Sequence, residues 1–253
     1  MAWLCLRSAS AALCLLVSGV VVPAGHAQER TLLCPAPVGP VITTTPEPRS
    51  GDAKGVGDWR QHVERQRELM VNASFDTYLV GDSQIYNWPL DILQRRRPGR
   101  IFNFGVNGDR TENVLWRLQQ IAFPAGLRGD IINLIGTNNL DRPACEVVWG
   151  IAAVLAEERR QAPAARLVVI SLLPRGERLA SFVDKIKTIN HDLALLSAAQ
   201  GYTFVPVHDK LLCEAYDKAR CHYYTGDHLH LRREGYEVVT DALAAALSRG
   251  GKR

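Results

Sequence analysis

The stretch Phe75-Asp76-Thr77-Tyr78-Leu79-Val80-Gly81-Asp82-Ser83 sets the reading of the whole chain, because an apolar, β-favouring run stops at a glycine and passes straight into an acid and a hydroxyl. A short apolar run bounded by turn residues has the composition of a strand buried on both faces. Four later runs repeat the type: Arg100-Ile101-Phe102-Asn103-Phe104, Asp130-Ile131-Ile132-Asn133-Leu134-Ile135, Arg166-Leu167-Val168-Val169-Ile170-Ser171-Leu172 and Tyr202-Thr203-Phe204-Val205.

Between these runs lie longer segments with helical spacing, at 111–120, 144–161, 181–199 and 234–248. A charged, helix-permissive segment at 58–71 precedes the first run, with Trp59, Val63 and Leu69 as candidate inward positions. Short buried strands alternating with amphipathic helices predict an α/β fold: a single doubly wound, flavodoxin-like, five-stranded parallel sheet with helices on both faces. In such sheets ligands bind beyond the carboxyl ends of the strands, so the loops after the strands are where function is sought.

The chain has 253 residues, 47% of them apolar and 22% charged, with a formal net charge of +4. That suits one domain with a real core, or a domain plus an extension. Basic and acidic residues are intermixed, so no basic stripe marks a nucleic-acid partner. Residues 1–27 read as a secretory signal peptide. Arg7 is the sole charge, an apolar run extends from about Ala9 to Val22, and Gly25-His26-Ala27 supplies small residues at the two positions a signal peptidase reads. The run is short for a spanning helix, so no stable membrane anchor is expected. The mature chain is then a periplasmic or secreted protein, with a Pro- and Gly-rich arm over 28–57 and one domain over 58–253. Export leaves Cys34, Cys145, Cys213 and Cys221 in an oxidising compartment that favours disulfides. Three pairings are open to them, besides free thiols; Cys213 and Cys221 are near enough in sequence to close a small loop.

Four loops carry chemistry. Gly81-Asp82-Ser83 follows the first run and places a hydroxyl at the sheet edge beside helix-start N–H groups, although a Ser there also serves as a plain helix cap. Gly226-Asp227-His228-Leu229-His230 precedes the last helical segment. A serine nucleophile needs a base, and the base needs a partner that fixes its tautomer; His230 and Asp227 can fill those roles. His228 is a surface residue or half of a metal pair, but no further ligands lie nearby, so no metal is expected. Gly108, within Asn103–Asp109, permits close backbone approach, and Asn138, in Gly136-Thr137-Asn138-Asn139, offers a side-chain amide. Both fit donors for a tetrahedral oxyanion. Singly these are ordinary turn residues; together, each after its own strand, they form a set.

That set resembles the four signature blocks of the SGNH (GDSL-type) hydrolases, and the branch that holds the platelet-activating-factor acetylhydrolase catalytic subunits shares the stretches 103–118, 136–139, 172–176 (Leu-Leu-Pro-Arg-Gly) and 227–236. The resemblance runs from about Trp59 to the C-terminal segment. It implies Ser83 as nucleophile, Asp227 and His230 as the acid–base pair, the Ser83 and Gly108 amides with Asn138 as the oxyanion hole, and no cofactor. Asn139 stands where many members have Asp, and Gln84 where an apolar residue is common.

The implied activity is a serine esterase that transfers an acyl group to water. Gln84, Thr137 and Leu229 adjoin the reacting residues and are expected to wall a short, partly polar acyl pocket that favours acetyl. Tyr86 and Trp88, with Tyr223 and Tyr224, are candidates for a sugar-stacking rim, core packing being the alternative for such rings. The expected substrate is a small-molecule or polysaccharide ester, foremost an acetylated carbohydrate. Lipid or phospholipid ester hydrolysis, sugar O-acetylation by the same triad and a non-catalytic carbohydrate-binding module are the rival readings.

Overall fold

Every position of Thr77–Gly81 (β1) and of Asp130–Leu134 (β3) is buried, so neither strand has a solvent face, as befits strands inside a sheet covered on both sides. The computed structural model describes residues 31–49, 56–176, 181–213 and 221–250. With β2 (Ile101–Gly105), β4 (Arg166–Ile170) and β5 (Thr203–Val205), these strands form one five-stranded sheet in the order β2-β1-β3-β4-β5. All the pairings are parallel. Gly81 is level with Gly105 on one side and with Leu134 on the other, so three strands end together. The chain's crossovers change direction between β1 and β3, which opens a crevice at their carboxyl ends.

Helices α1 (Val56–Asn72), α2 (Ser83–Tyr86), α3 (Leu90–Arg96), α4 (Thr111–Gln120), α5 (Ala144–Gln161), α6 (Val183–Gln200) and α7 (Arg233–Gly250) cover the sheet. Strand residues alternate between two cores. Tyr78, Val80, Phe104, Ile131 and Val169 pack towards α1, α4, α5 and α6, while Leu79, Ile132, Val168, Ile170 and Val205 pack towards α3 and α7. This is the expected doubly wound α/β fold. The expected strands differ from the observed ones by a residue or two at their ends. The one-turn α2 and the seven-residue α3 were not expected, because helices so short carry no readable period. Leu69 was expected to face inward but is 56% exposed, and the inward stripe of α1 instead runs through Trp59, Val63, Gln66 and Met70.

Residues 31–49 lie within the same compact unit as the rest of the described chain. The Leu33 and Cys34 amides donate to the Asp192 carboxylate on α6, Cys34 is disulfide-bonded to Cys145 on α5, and Thr43 Oγ1 donates to the Glu146 carbonyl. Asn113 Nδ2 and the Glu47 amide tie the strap to α4. The segment is thus bonded to α4, α5 and α6, and Cys34 and Thr43 are core residues. The cysteines span 111 residues, and closing a loop of that length removes on the order of 4–5 kcal/mol of unfolded-chain entropy. A second disulfide joins Cys213 to Cys221. The expected signal peptide lies outside the described residues. Among the described residues no helix is long and apolar enough to cross a membrane.

Glu158 of α5 is fully buried, with Asn133 Nδ2 donating to Oε2 at 2.8 Å and no partner for Oε1 among the described residues. Burial pushes its carboxyl up to about 8. A raised folded-state value stabilises the protein fully below the ordinary 4.5, and that contribution is lost as pH rises towards 8. Glu158→Gln keeps the acceptor for Asn133 and removes the titration. Its melting temperature should therefore fall less than that of the wild type between pH 5 and pH 8.5. Parallel thermal-melt curves for the two proteins would contradict the assignment.

Candidate active site

Asp227 organises the loop that precedes α7. Its Oδ1 accepts from Thr225 Oγ1 at 2.6 Å and from the Leu229 and His230 amides at 3.0 Å, a side-chain-closed turn. Its Oδ2 meets His230 Nδ1 at 2.6 Å. Burial alone would raise this carboxyl, but the bonds from Thr225, the His230 ring and the two amides override it and hold it well below the usual carboxylate range. With Nδ1 facing a carboxylate, the imidazole keeps its proton there and presents Nε2 as a base. Nε2 lies 2.9 Å from Ser83 Oγ. Ser83, His230 and Asp227 thus form one hydrogen-bonded line.

Ser83 opens α2, directly after β1, and is nearly buried. Asp82 caps that turn by accepting the Gln84 amide at 2.9 Å. Burial pushes Asp82 up to about 7, against the pull of the Gln84 amide bond, so the carboxyl beside Ser83 is protonated at acidic pH. Gln84 Nε2 donates to the Leu229 carbonyl at 2.6 Å, and Tyr236 Oη donates to the Gln84 carbonyl at 2.8 Å. These two bonds fasten the serine turn to the histidine loop and to α7. They also give Gln84 a role: its Nε2 ties the two loops together, while its Oε1 is buried with no hydrogen-bond partner among the described residues.

Asn138 reaches from its own loop to the loop that bears Gly108. Gly108 has φ +74°, a conformation that favours glycine, and the Arg49 guanidinium occupies the place where a side chain on it would begin. Asn138 Nδ2 donates to the carbonyl of Asp109, the next residue, at 2.9 Å. Asn139 accepts the Thr111 amide and donates to Glu112 Oε2 at 2.9 Å. An Asp at that position would set a second carboxylate against Glu112, which explains the Asn physically.

The remaining candidates divide. Gln84, Thr137 and Leu229 line a narrow cleft together with Asp82, Leu173 and Arg175, whose free volume of about 10 Å³ is close to that of one water molecule. Tyr86 is 43% exposed and lines a larger cavity, described below. Trp88 and Tyr224, candidates for the rim, are core residues only 2% and 3% exposed. The Trp88 indole donates to Thr240 Oγ1 and lies against Tyr236. Tyr223 is half-buried and packs on His222. His228 has φ +51° and accepts the Gly176 amide through its carbonyl. Its ring belongs to no group of three or more metal-binding side chains among the described residues.

Sequence reasoning gave no role to Arg175, whose Nη1 donates to Thr137 Oγ1 and O, nor to Thr225. It also missed the buried pair of Asp109 and Arg117. The acid directly after Gly108 was the available signal, since a charge inside a glycine turn beneath a sheet edge must have a partner.

A family model described as GDSL-like lipase/acylhydrolase matches residues 72–238. The chain is 30% identical over 203 residues to platelet-activating factor acetylhydrolase IB subunit alpha1 of Rattus norvegicus, covering 78% of this chain and 86% of that one. It is likewise 30% identical over 194 residues to the alpha2 subunit of Homo sapiens, covering 76% and 84%. A solved structure from Streptococcus pneumonia, described as a platelet activating factor, superposes with a TM-score of 0.66 at 26% identity, over 76% of this chain and 94% of that one. The chain belongs to the GDSL-like lipase/acylhydrolase family, a family of ester-hydrolysing enzymes.

The geometry separates the two histidines of the loop. Ser83→Ala and His230→Ala should each retain less than about a hundredth of the wild-type kcat on p-nitrophenyl acetate, the scale of loss when a hydrogen-bonded catalytic unit is broken. His228→Ala should stay within a few-fold of wild type. Equal losses in both histidine variants would contradict the assignment.

Proposed function

Starting from that family membership, we propose that the chain is an exported serine esterase that removes short acyl groups, acetyl foremost, through an acyl-enzyme on Ser83. The observation that carries this reading is the unbroken line from Ser83 Oγ through His230 to Asp227. In the proposed mechanism Ser83 Oγ attacks the ester carbonyl carbon as its proton passes to His230 Nε2. Asp227, an anion throughout, steadies the imidazolium without taking the proton. The carbonyl oxygen becomes an oxyanion held by the Ser83 and Gly108 amides and by Asn138 Nδ2, whose other N–H is already spent on the Asp109 carbonyl. Collapse breaks the ester C–O bond, and His230 returns its proton to the departing alkoxide. Water, deprotonated by His230, then attacks the acyl-enzyme; a second collapse releases the carboxylic acid and regenerates Ser83.

On the acyl side, the cleft between Thr137, Leu229 and Gln84 leaves little room beyond a methyl group. On the alcohol side we propose an acetylated carbohydrate or polysaccharide, with the exposed Tyr86 ring as the aromatic that remains available to it. A second reading, an acetyl ester of a lipid alcohol, is favoured by the platelet-activating-factor acetylhydrolase relatives. A sugar hydroxyl in place of water would make the same acyl-enzyme a transferase. Export is supported by the leader-like N-terminus and by the two disulfides, which persist in oxidising compartments.

The acyl proposal is tested by a chain-length series. Across p-nitrophenyl acetate, butyrate and octanoate, kcat/KM should fall at each step by roughly tenfold or more, the 1–3 kcal/mol typical of discrimination between homologues. Values that stay level or rise with chain length would replace the short-acyl reading with a lipase-like one.

A further inference from the structure

Next to the oxyanion loop lies a cavity of about 290 Å³, lined among the described residues by Arg49, Trp59, His62, Arg65, Tyr86 and Asn107 together with Val106. Its place in the fold links it to the reacting atoms. Tyr86 ends the single turn that Ser83 begins. Asn107 precedes Gly108, and the Arg49 guanidinium sits against Gly108 itself. An ester whose carbonyl lies at Ser83, with its acyl group in the narrow cleft walled by Thr137 and Leu229, has to place its alcohol portion elsewhere. This cavity is the large opening that borders the other side of the oxyanion loop.

The cavity is cationic. Neither Arg49 nor Arg65 is ion-paired with a carboxylate among the described residues, unlike Arg95, Arg96, Arg110 and Arg233 elsewhere on the surface. The acid that lies behind it, Asp109, is fully buried, with one oxygen taken by the Trp59 indole and the other by Arg117. Asp109 is within electrostatic reach of Arg49, but with its two oxygens bonded to Trp59 and Arg117 it forms no ion pair with Arg49. Partial burial, then the nearby charges of Arg65 and Arg117, keeps the His62 ring below its ordinary value, which fits a positive surrounding. The Tyr86 ring meets His62 edge-on at 5.4 Å, so the walls offer flat surfaces beside the two guanidinium groups. Arg49 arrives only because residues 31–49 are strapped across α5 and α4 by the Cys34–Cys145 disulfide and the Thr43 and Glu47 bonds.

We propose that this cavity is the leaving-group subsite and that Arg49 and Arg65 select esters whose alcohol portion carries an anionic group, a carboxylate or a phosphate. The inference rests on the esterase reading and adds the chemistry of its alcohol. Guanidinium groups bind both kinds of oxyanion through paired N–H donors. A volume at the low end of ligand clefts suits one sugar ring or one phosphoglycerol unit rather than an extended chain. The N-terminal strap thereby supplies a specificity residue to a site otherwise built from strand-end loops.

The test uses matched pairs of acetyl esters: O-acetyl glucuronic acid against O-acetyl glucose, and acetyl glycerol 3-phosphate against acetyl glycerol. Wild-type protein should prefer the charged member of at least one pair by roughly tenfold or more in kcat/KM, the scale of one charge-assisted contact. The pair that shows the preference identifies uronate or phosphate as the source. In Arg49→Gln/Arg65→Gln the charged-to-neutral ratio should collapse towards one, mainly through KM. Equal rates within both pairs, or a preference that survives the double variant, would overturn the proposal. Turnover of p-nitrophenyl acetate reports separately on the esterase reading. If that fails, calorimetric binding of glucuronate and glycerol 3-phosphate to the Ser83→Ala protein still decides the subsite. Binding weakened about tenfold by the arginine substitutions supports it, and no binding, or binding unchanged by them, rejects it.

Discussion

Beneath the catalytic loops, a fully buried Arg117 reaches from α4 into the carboxyl end of the sheet. Its Nε bonds Asp109 at 2.7 Å, Nη1 bonds the Phe104 carbonyl at 2.9 Å and Gln66 at 3.2 Å, and Nη2 reaches the Gly81 carbonyl. The guanidinium also lies over the Phe104 ring at 4.1 Å. One side chain thus joins the end of β1, from which Ser83 projects, to the end of β2, to α1 and to the loop bearing Gly108. Burying both charges is costly, and the cost is offset here by bonds from Trp59 to Asp109 and from Arg117 to Gln66 and two carbonyls. Removing one partner leaves the other charge buried and unpaired, which costs several kcal/mol. This pair thereby fixes the end of β1, which leads into Ser83, relative to the loop that bears Gly108.

Above that pair the site is assembled by fastening loops to one another. Gln84 and Tyr236 join the serine turn to the histidine loop, Asn138 and Asn139 join the third-strand loop to the glycine loop and α4, and Arg175 holds Thr137 from the fourth-strand loop. Each bond is side chain to backbone or side chain to side chain across a long sequence separation. The residues flanking Ser83, Asn138 and His230 therefore have little freedom to change chemistry. Gln84 and Asn139, which stand out beside the family pattern, are both explained by such bonds.

The five strands and the long helices were legible because their apolar runs are strong and regular, and the parallel order followed from their alternation. The loop positions of Ser83, Gly108, Asn138, Asp227 and His230 followed from that order. What escaped was three-dimensional pairing. Nothing in the composition of 31–49 signals that Thr43 is buried under α5 or that Arg49 reaches Gly108, since a Pro- and Thr-rich segment reads as linker until its disulfide partner is known. Trp88 and Tyr224 carry the same sequence signal as the exposed Tyr86, and only packing distinguishes a rim ring from a core ring. Arg117 lies in an ordinary helical stretch, and nothing in the local pattern marks it as a buried charge.

The central claim is that Ser83 is the activated nucleophile of an ester-hydrolysing site. Labelling with an alkyl fluorophosphonate, followed by peptide mass spectrometry, tests it most directly, because the reagent reacts covalently with a serine whose proton is drawn off by a neighbouring base. The account predicts a single phosphonyl adduct on the peptide carrying Ser83, formed in step with loss of esterase activity and absent from Ser83→Ala. An adduct on a different residue that tracks the loss of activity, or full activity retained by protein labelled at Ser83, would contradict it.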